Sequence, residues 1–322
     1  MRFRVGAVPR RSRSVSGDLL NPSAHGRVER ATSNLGSQGD GLAAYRASSP
    51  NHTSKAVSLT VAPTLPNKPL VEALLEIRWE LQKLPASPGP VDPGYPFAVG
   101  RLFELVRERY PFREELPVAQ VPDALTPHVA KHRFRVSEDA WPLVQIGPGV
   151  ASVNFTEGYT WEVFREAALE FVPQLASAYE GVYPLKPVSV LLRYINAVEF
   201  DYGRGDVLEF FREKLHTSFQ LPEGITGFEH RSGFPEGLSF QLALPVGRPP
   251  GAAITRFSTG KRGEAPAVVW EHHVLSKKEG APGLAEGFRE WLEQAHEVAE
   301  RWFFTLVEGD LLAAFKEERT HA

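Results

Sequence analysis

Between Pro69 and Leu81 apolar and polar residues alternate. Ala73, Leu75, Ile77, Trp79 and Leu81 fall on one side; Glu72, Glu76, Arg78 and Glu80 fall on the other. A period of two places these sets on opposite faces of a half-buried strand. A Pro/Gly stretch from Pro85 to Pro96 ends it. Val99, Leu102, Phe103 and Val106 then trace a helical stripe that predicts a helix over about 97–110. Four prolines make 111–130 a long loop, and short strands are expected near 132–137, 142–147 and 150–155, the last two turned by Gly147-Pro148-Gly149. A helix follows over about 159–180, with Trp161, Phe164, Ala168, Phe171, Leu175 and Ala178 at helical spacing. Pro173 should kink it or open a second helix, and Gly181 supplies the stop.

The same order then returns. Pro187 opens a strong strand from Val188 to Phe200, and Asp206 caps a helix of about 206–218. Strands are expected near 225–231, 237–245, 252–258 and 267–275. A long helix over about 283–307 closes the set with Leu284, Phe288, Trp291, Leu292, Ala295, Trp302 and Leu306 on its apolar stripe. The pattern predicts an α+β fold of two pseudo-repeated halves, 65–182 and 183–318, each running strand, helix, strands, helix. Such halves build a large antiparallel or mixed sheet with helices packed on one face.

Composition changes this picture mainly at the N-terminus. Residues 1–64 are rich in Ser, Arg, Gly and Asn without apolar periodicity, so they read as a disordered basic head. Met1 is the only methionine, so a true start at a non-Met codon near Val57 or Val61 is the expectation. The formal net charge is −3, but residues 1–60 hold nine Arg or Lys against three acids. The head is therefore +6 and the rest −9, which disfavours nucleic acid as a partner of the body. The chain has no cysteine, which excludes disulfides, thiolate metal sites and cysteine nucleophiles. No apolar run reaches the ~18 residues of a membrane span, so a cytoplasmic protein without membrane partners is expected.

Several separated segments carry a resemblance. Asn67-Lys68-Pro69-Leu70-Val71-Glu72 leads to Glu76-Ile77-Arg78. Asn154 precedes Tyr159, Trp161 and Phe164. Arg193-Tyr194-Ile195-Asn196 lies in the second half, and Trp291-Leu292 with Ala295-His296-Glu297 and Phe304 lies in the terminal helix. Together they resemble a sporadically distributed family of uncharacterised bacterial proteins, over about residues 65–318. The resemblance implies no established activity, substrate or catalytic residue. Patchy occurrence implies an association with mobile defence or antitoxin-like systems and supplies no mechanism.

Glu271-His272-His273 is the strongest candidate chemistry. On a strand Glu271 and His273 share one face, while His272 joins Trp270 and Val274 on the other. A carboxylate and an imidazole two residues apart suit acid–base work or half a metal site. His296 and Glu300, one turn apart, are the residues considered for completing it; a core histidine beside a solvated one is the simpler account. His296 to Glu300 has zinc-protease spacing but Glu where the second His belongs, which removes that activity. Gly260-Lys261-Arg262-Gly263 lacks a P-loop's spacing and is expected to be a hairpin turn. Arg193 and Asn196 fall on opposite faces of a central strand. Arg193 is expected to pair with Glu76 or Glu199, or else to anchor an anionic ligand. The six tryptophans read as core anchors.

No complete nucleophile–base–acid set, metal quartet or nucleotide loop assembles from these motifs, so no cofactor or metal is expected. The sequence favours a non-enzymatic interaction or regulatory protein with an unidentified protein partner. The alternative is a sensor or enzyme holding a small anionic ligand between the halves, with Arg193, Asn196, Glu271 and His273 as the candidate ligand-binding residues.

Overall fold

The computed structural model describes residues 65–85, 87–220 and 237–317. The head, and the strand expected near 225–231, lie outside them. The described residues form an α+β fold around a nine-stranded sheet in which every pairing is antiparallel. The strands are β1 (Leu70–Trp79), β4 (Phe112–Glu115), β5 (His132–Arg135), β6 (Leu143–Gly147), β7 (Val150–Phe155), β8 (Pro187–Glu199), β9 (Ser239–Gly247), β10 (Pro250–Arg262) and β11 (Ala265–Lys277). Their order is β4-β5-β6-β7-β1-β8-β11-β10-β9. Two-residue strands β2 (Gln82–Lys83) and β3 (Pro90–Val91) pair separately. The helices are α1 (Tyr95–Val106), α2 (Trp161–Ala178), α3 (Val207–Lys214), α4 (Phe288–Leu306) and α5 (Asp310–Lys316). No described helix is long and apolar enough to cross a membrane.

The alternation in β1 does what its period demands: Ala73, Leu75, Ile77 and Trp79 are fully buried. Register carries that row sideways onto Ala151, Val153 and Phe155 of β7 and onto Val190, Leu192 and Tyr194 of β8. These side chains share one core with Leu102 of α1, Phe164, Phe171 and Leu175 of α2, and Trp291, Leu292 and Ala295 of α4. Further along the same face Phe257, Val268 and Trp270 pack with Phe211 of α3 and Phe315 of α5. The helices therefore cover one face, and the other carries no described helix.

Buried Asp92 ties β1, α1 and α2 together. Its Oδ2 accepts from Trp79 Nε1 at 2.9 Å, Tyr179 Oη at 2.8 Å and Gly149 N at 3.1 Å; its Oδ1 accepts from Gly94 N at 3.0 Å and Tyr95 N at 3.1 Å. Burial and the neighbouring Asp92 carboxylate push the Tyr179 pKa up, which keeps it a donor.

Some expectations needed correction. The stretch read as loop over 111–130 contains β4 and two 3₁₀ turns. Pro173 does not open a second helix, because α2 runs through it as one element. The hairpin β10–β11 extends to Arg262 and Ala265, and a fifth helix, α5, follows Gly309. Asp206 caps α3 as expected, accepting from Leu208 N at 2.8 Å and Glu209 N at 3.4 Å.

Candidate functional site

On β8 and β11 the register sets Arg193 opposite His273, and Ile195 opposite Glu271. All four side chains lie on the helix-free face, because Tyr194, Trp270 and His272 occupy the buried rows between them. Three of the predicted residues meet there. Glu271 Oε2 accepts from Arg193 Nε and from Arg193 Nη2, each at 2.8 Å, and meets His273 Nε2 at 2.7 Å. The Glu271 side chain is 8% exposed, against 30% for Arg193 and 18% for His273. The carboxylate is thus the sunken centre of the group, and Arg193 and His273 lie nearer solvent.

Burial alone would raise the Glu271 pKa. The His273 hydrogen bond and the charges of Arg193, His273 and Arg256 outweigh it, so the carboxyl lies below its ordinary value. Arg256 belongs to the group by register, standing opposite Glu271 on β10. Two guanidiniums around one carboxylate leave an excess of positive charge and guanidinium donors. Arg193 spends Nε and Nη2 on Glu271 and keeps Nη1 for another acceptor.

The partner expected for Arg193 is corrected. Glu76 is held by Arg78 at 2.6 Å, and Glu199 is exposed at the end of β8. Asn196 does not join the group. It is 2% exposed on the helix-covered face, opposite Trp270, and its Nδ2 has no hydrogen-bond partner among the described residues. Trp270 Nε1 and His272 Nε2, close by on the same face, also lack one.

His296 and Glu300 lie on the helix side of the sheet and cannot complete a set with Glu271 and His273. Among the described residues no group of three or more His, Asp or Glu is arranged to hold a metal ion. His296 stacks on Trp161, with ring centroids 3.7 Å apart, and its Nδ1 lies 3.0 Å from Tyr194 Oη. Tyr159 Oη in turn donates to Tyr194 Oη at 3.1 Å, and Lys68 donates to the Tyr159 carbonyl. Burial pushes the His296 pKa down to about 4. Residues from four separated sequence motifs meet in this cluster. Periodicity missed it because α2, β8 and α4 are distant in sequence.

Gly260 to Arg262 belong to the end of strand β10, and the hairpin turn itself is Gly263-Glu264; Arg262 donates to the Ala197 carbonyl at 3.3 Å. Of the six tryptophans, Trp79, Trp270 and Trp291 are core anchors. Trp141, Trp161 and Trp302 are only partly buried, and Arg135 stands 5.5 Å from the Trp141 ring.

The helix-free face continues as a polar lattice beyond β8. Asn154 Nδ2 donates to Glu72 at 2.7 Å, Gln145 Nε2 donates to Asn154 Oδ1 at 3.1 Å, and Arg133 Nε donates to Gln145 at 2.9 Å. Compared with protein-family models, with curated proteins and with solved structures, the chain matches none.

Proposed function

We propose that this chain is a non-enzymatic interaction or regulatory protein that recognises an anionic group on the helix-free face of its sheet. The observation that carries this is the single carboxylate of Glu271 gripped by both Arg193 and His273, with Arg256 beside it. A carboxylate sunk between Arg193 and His273 orients them before any ligand arrives, which lowers the ordering cost of binding. The remaining guanidinium donors match a carboxylate or phosphate group. Membership of a mobile defence or antitoxin-like system stays part of the proposal, on the family resemblance alone.

The strand order supports a duplicated architecture for this site. In each half the last strand of the meander returns to pair with the first: β7 with β1, and β11 with β8. β1 and β8 then adjoin at the centre, and Arg193 sits across from Leu74 at that seam. The binding group would stand where the halves meet.

Titration calorimetry with inorganic phosphate and with citrate tests the proposal on the full chain. Binding of either probe is expected, weakened at least about tenfold by Arg193→Met. Absence of heat with both probes, or binding that Arg193→Met and Arg256→Met leave unchanged, would overturn it.

A further inference from the structure

Among the described residues, strand β9 closes one end of the sheet with only β10 beside it. Its nine residues, Ser-Phe-Gln-Leu-Ala-Leu-Pro-Val-Gly, carry no charge. Phe240, Leu242 and Leu244 alternate along one face at 38%, 45% and 43% exposure. Edge strands of isolated proteins are ordinarily guarded by charge, proline, brevity or a bulge, because their free N–H and C=O groups template further pairing; in β9 the one such device is Pro245, near its end. The opposite edge follows that rule: β4 has four residues, and three of them are Arg113, Glu114 and Glu115. β9 is long, neutral and apolar on one face. The stripe is also anchored, since Phe240 packs edge-on against Phe219 at 4.8 Å and stacks with Phe257 at 6.5 Å.

We propose that β9 is a dimerisation edge, pairing antiparallel with β9 of a second copy of this chain across a twofold axis at Leu242. That axis sets Leu242 against its own counterpart and Phe240 against the counterpart of Leu244. The alternating Phe-x-Leu-x-Leu pattern is apolar in both directions, so one face of the pairing is an unbroken apolar row. Neutrality selects the same occupant. Two identical charged edges would repel, two neutral ones do not, and a charged peptide gains no attraction from this strand. Pro245, which has no N–H, bounds the pairing segment at one end. A twofold contact uses up the β9 edge in both copies, and the short charged β4 edge does not continue the sheet, so assembly stops at the dimer.

Sedimentation velocity of the full chain tests this. The expected species has twice the 35.7 kDa mass of the chain. Leu242→Lys, which opposes two like charges on the axis, should raise the dissociation constant at least about tenfold. Leu244→Asp should do the same from the next apolar position. Leu105→Lys, on the exposed side of α1, should leave the dimer intact, and circular dichroism shows whether each variant is folded. A chain that is monomeric at every concentration, or a dimer that survives both β9 substitutions, would overturn the proposal.

Discussion

Asp92→Asn removes half of a hydrogen-bonding hub while barely changing its volume. The native carboxylate takes three donors on Oδ2 and two on Oδ1. An asparagine has one carbonyl oxygen, and its amide NH₂ would face donors that it cannot satisfy. The cheaper orientation keeps Trp79, Tyr179 and Gly149 and abandons Gly94 N and Tyr95 N. Hydrogen bonds to a charged group contribute roughly 1.5–3 kcal/mol each, so the loss of two is expected to cost about 3–6 kcal/mol. Asp92 is 3% exposed, so water does little to soften that loss. Set against a typical total of about 5–15 kcal/mol, the variant should be strongly destabilised or unfolded. Urea unfolding followed by tryptophan fluorescence gives the difference directly, with unchanged slope showing that both proteins unfold in the same way. A loss below about 1 kcal/mol would refute the claim that this carboxylate holds β1, α1 and α2 together.

Three further outcomes are expected. Burial pushes the pKa of His272 down to about 3 and that of His296 to about 4, from an ordinary 6.5. Both stay neutral when folded while the unfolded chain takes up protons. Stability is therefore complete above the ordinary histidine value and falls as pH drops below it, by about 3 kcal/mol from His296 once pH reaches its folded value. Urea midpoints measured from neutral pH downward should show this, and His296→Gln should make the decline shallower by up to one proton. Glu271→Gln should strip Arg193 and His273 of their shared charge; because Arg193 is partly solvated, a loss of roughly 1–3 kcal/mol is expected in thermal or urea unfolding. Gly147→Ala would place a methyl group 1.9 Å from the Val129 carbonyl oxygen. It should cost roughly 3 kcal/mol or more, or abolish soluble expression; a variant as stable as the native chain would contradict that packing.

What the sequence disclosed followed the physics of one-sided burial. β1 and β8 were legible because a sheet covered on one face forces a period of two. Glu271 and His273 shared a predicted face for the same reason. Arg193 was grouped with them as a ligand-binding residue, but its direct pairing with Glu271 was not legible, since that depends on β11 docking beside β8 across a sequence separation of 78 residues. Ignorance of strand order also sent Arg193 to the wrong acidic partner. β4 was hidden because its four residues, Phe-Arg-Glu-Glu, lie among prolines that locally signal loop. Asp92 gave no periodic signal at all: its five donors come from β1, its own turn, the β6–β7 turn and the residue after α2.

The two halves of the sheet invite a direct comparison at the level of single side chains. In the first, Asn154 on β7 stands opposite Leu74 but reaches diagonally to Glu72 on β1. In the second, Glu271 on β11 stands opposite Ile195 but reaches diagonally to Arg193 on β8. Under the proposed duplication these are the same link, a last-strand side chain clasping the first strand on the helix-free face. They differ in charge. The first is an amide on a carboxylate, backed by Ser152 and Gln145, and its donors and acceptors are largely consumed within the lattice. The second pairs full charges, Glu271 on Arg193, and leaves guanidinium charge in excess with Arg256 beside it. A lattice that is internally satisfied gains little by binding anything, whereas a group with surplus positive donors at a half-buried centre gains charge-assisted hydrogen bonds from an arriving anion. If duplication supplied two equivalent links, the first half has kept its copy for cohesion, and the anion recognition proposed above falls to the second.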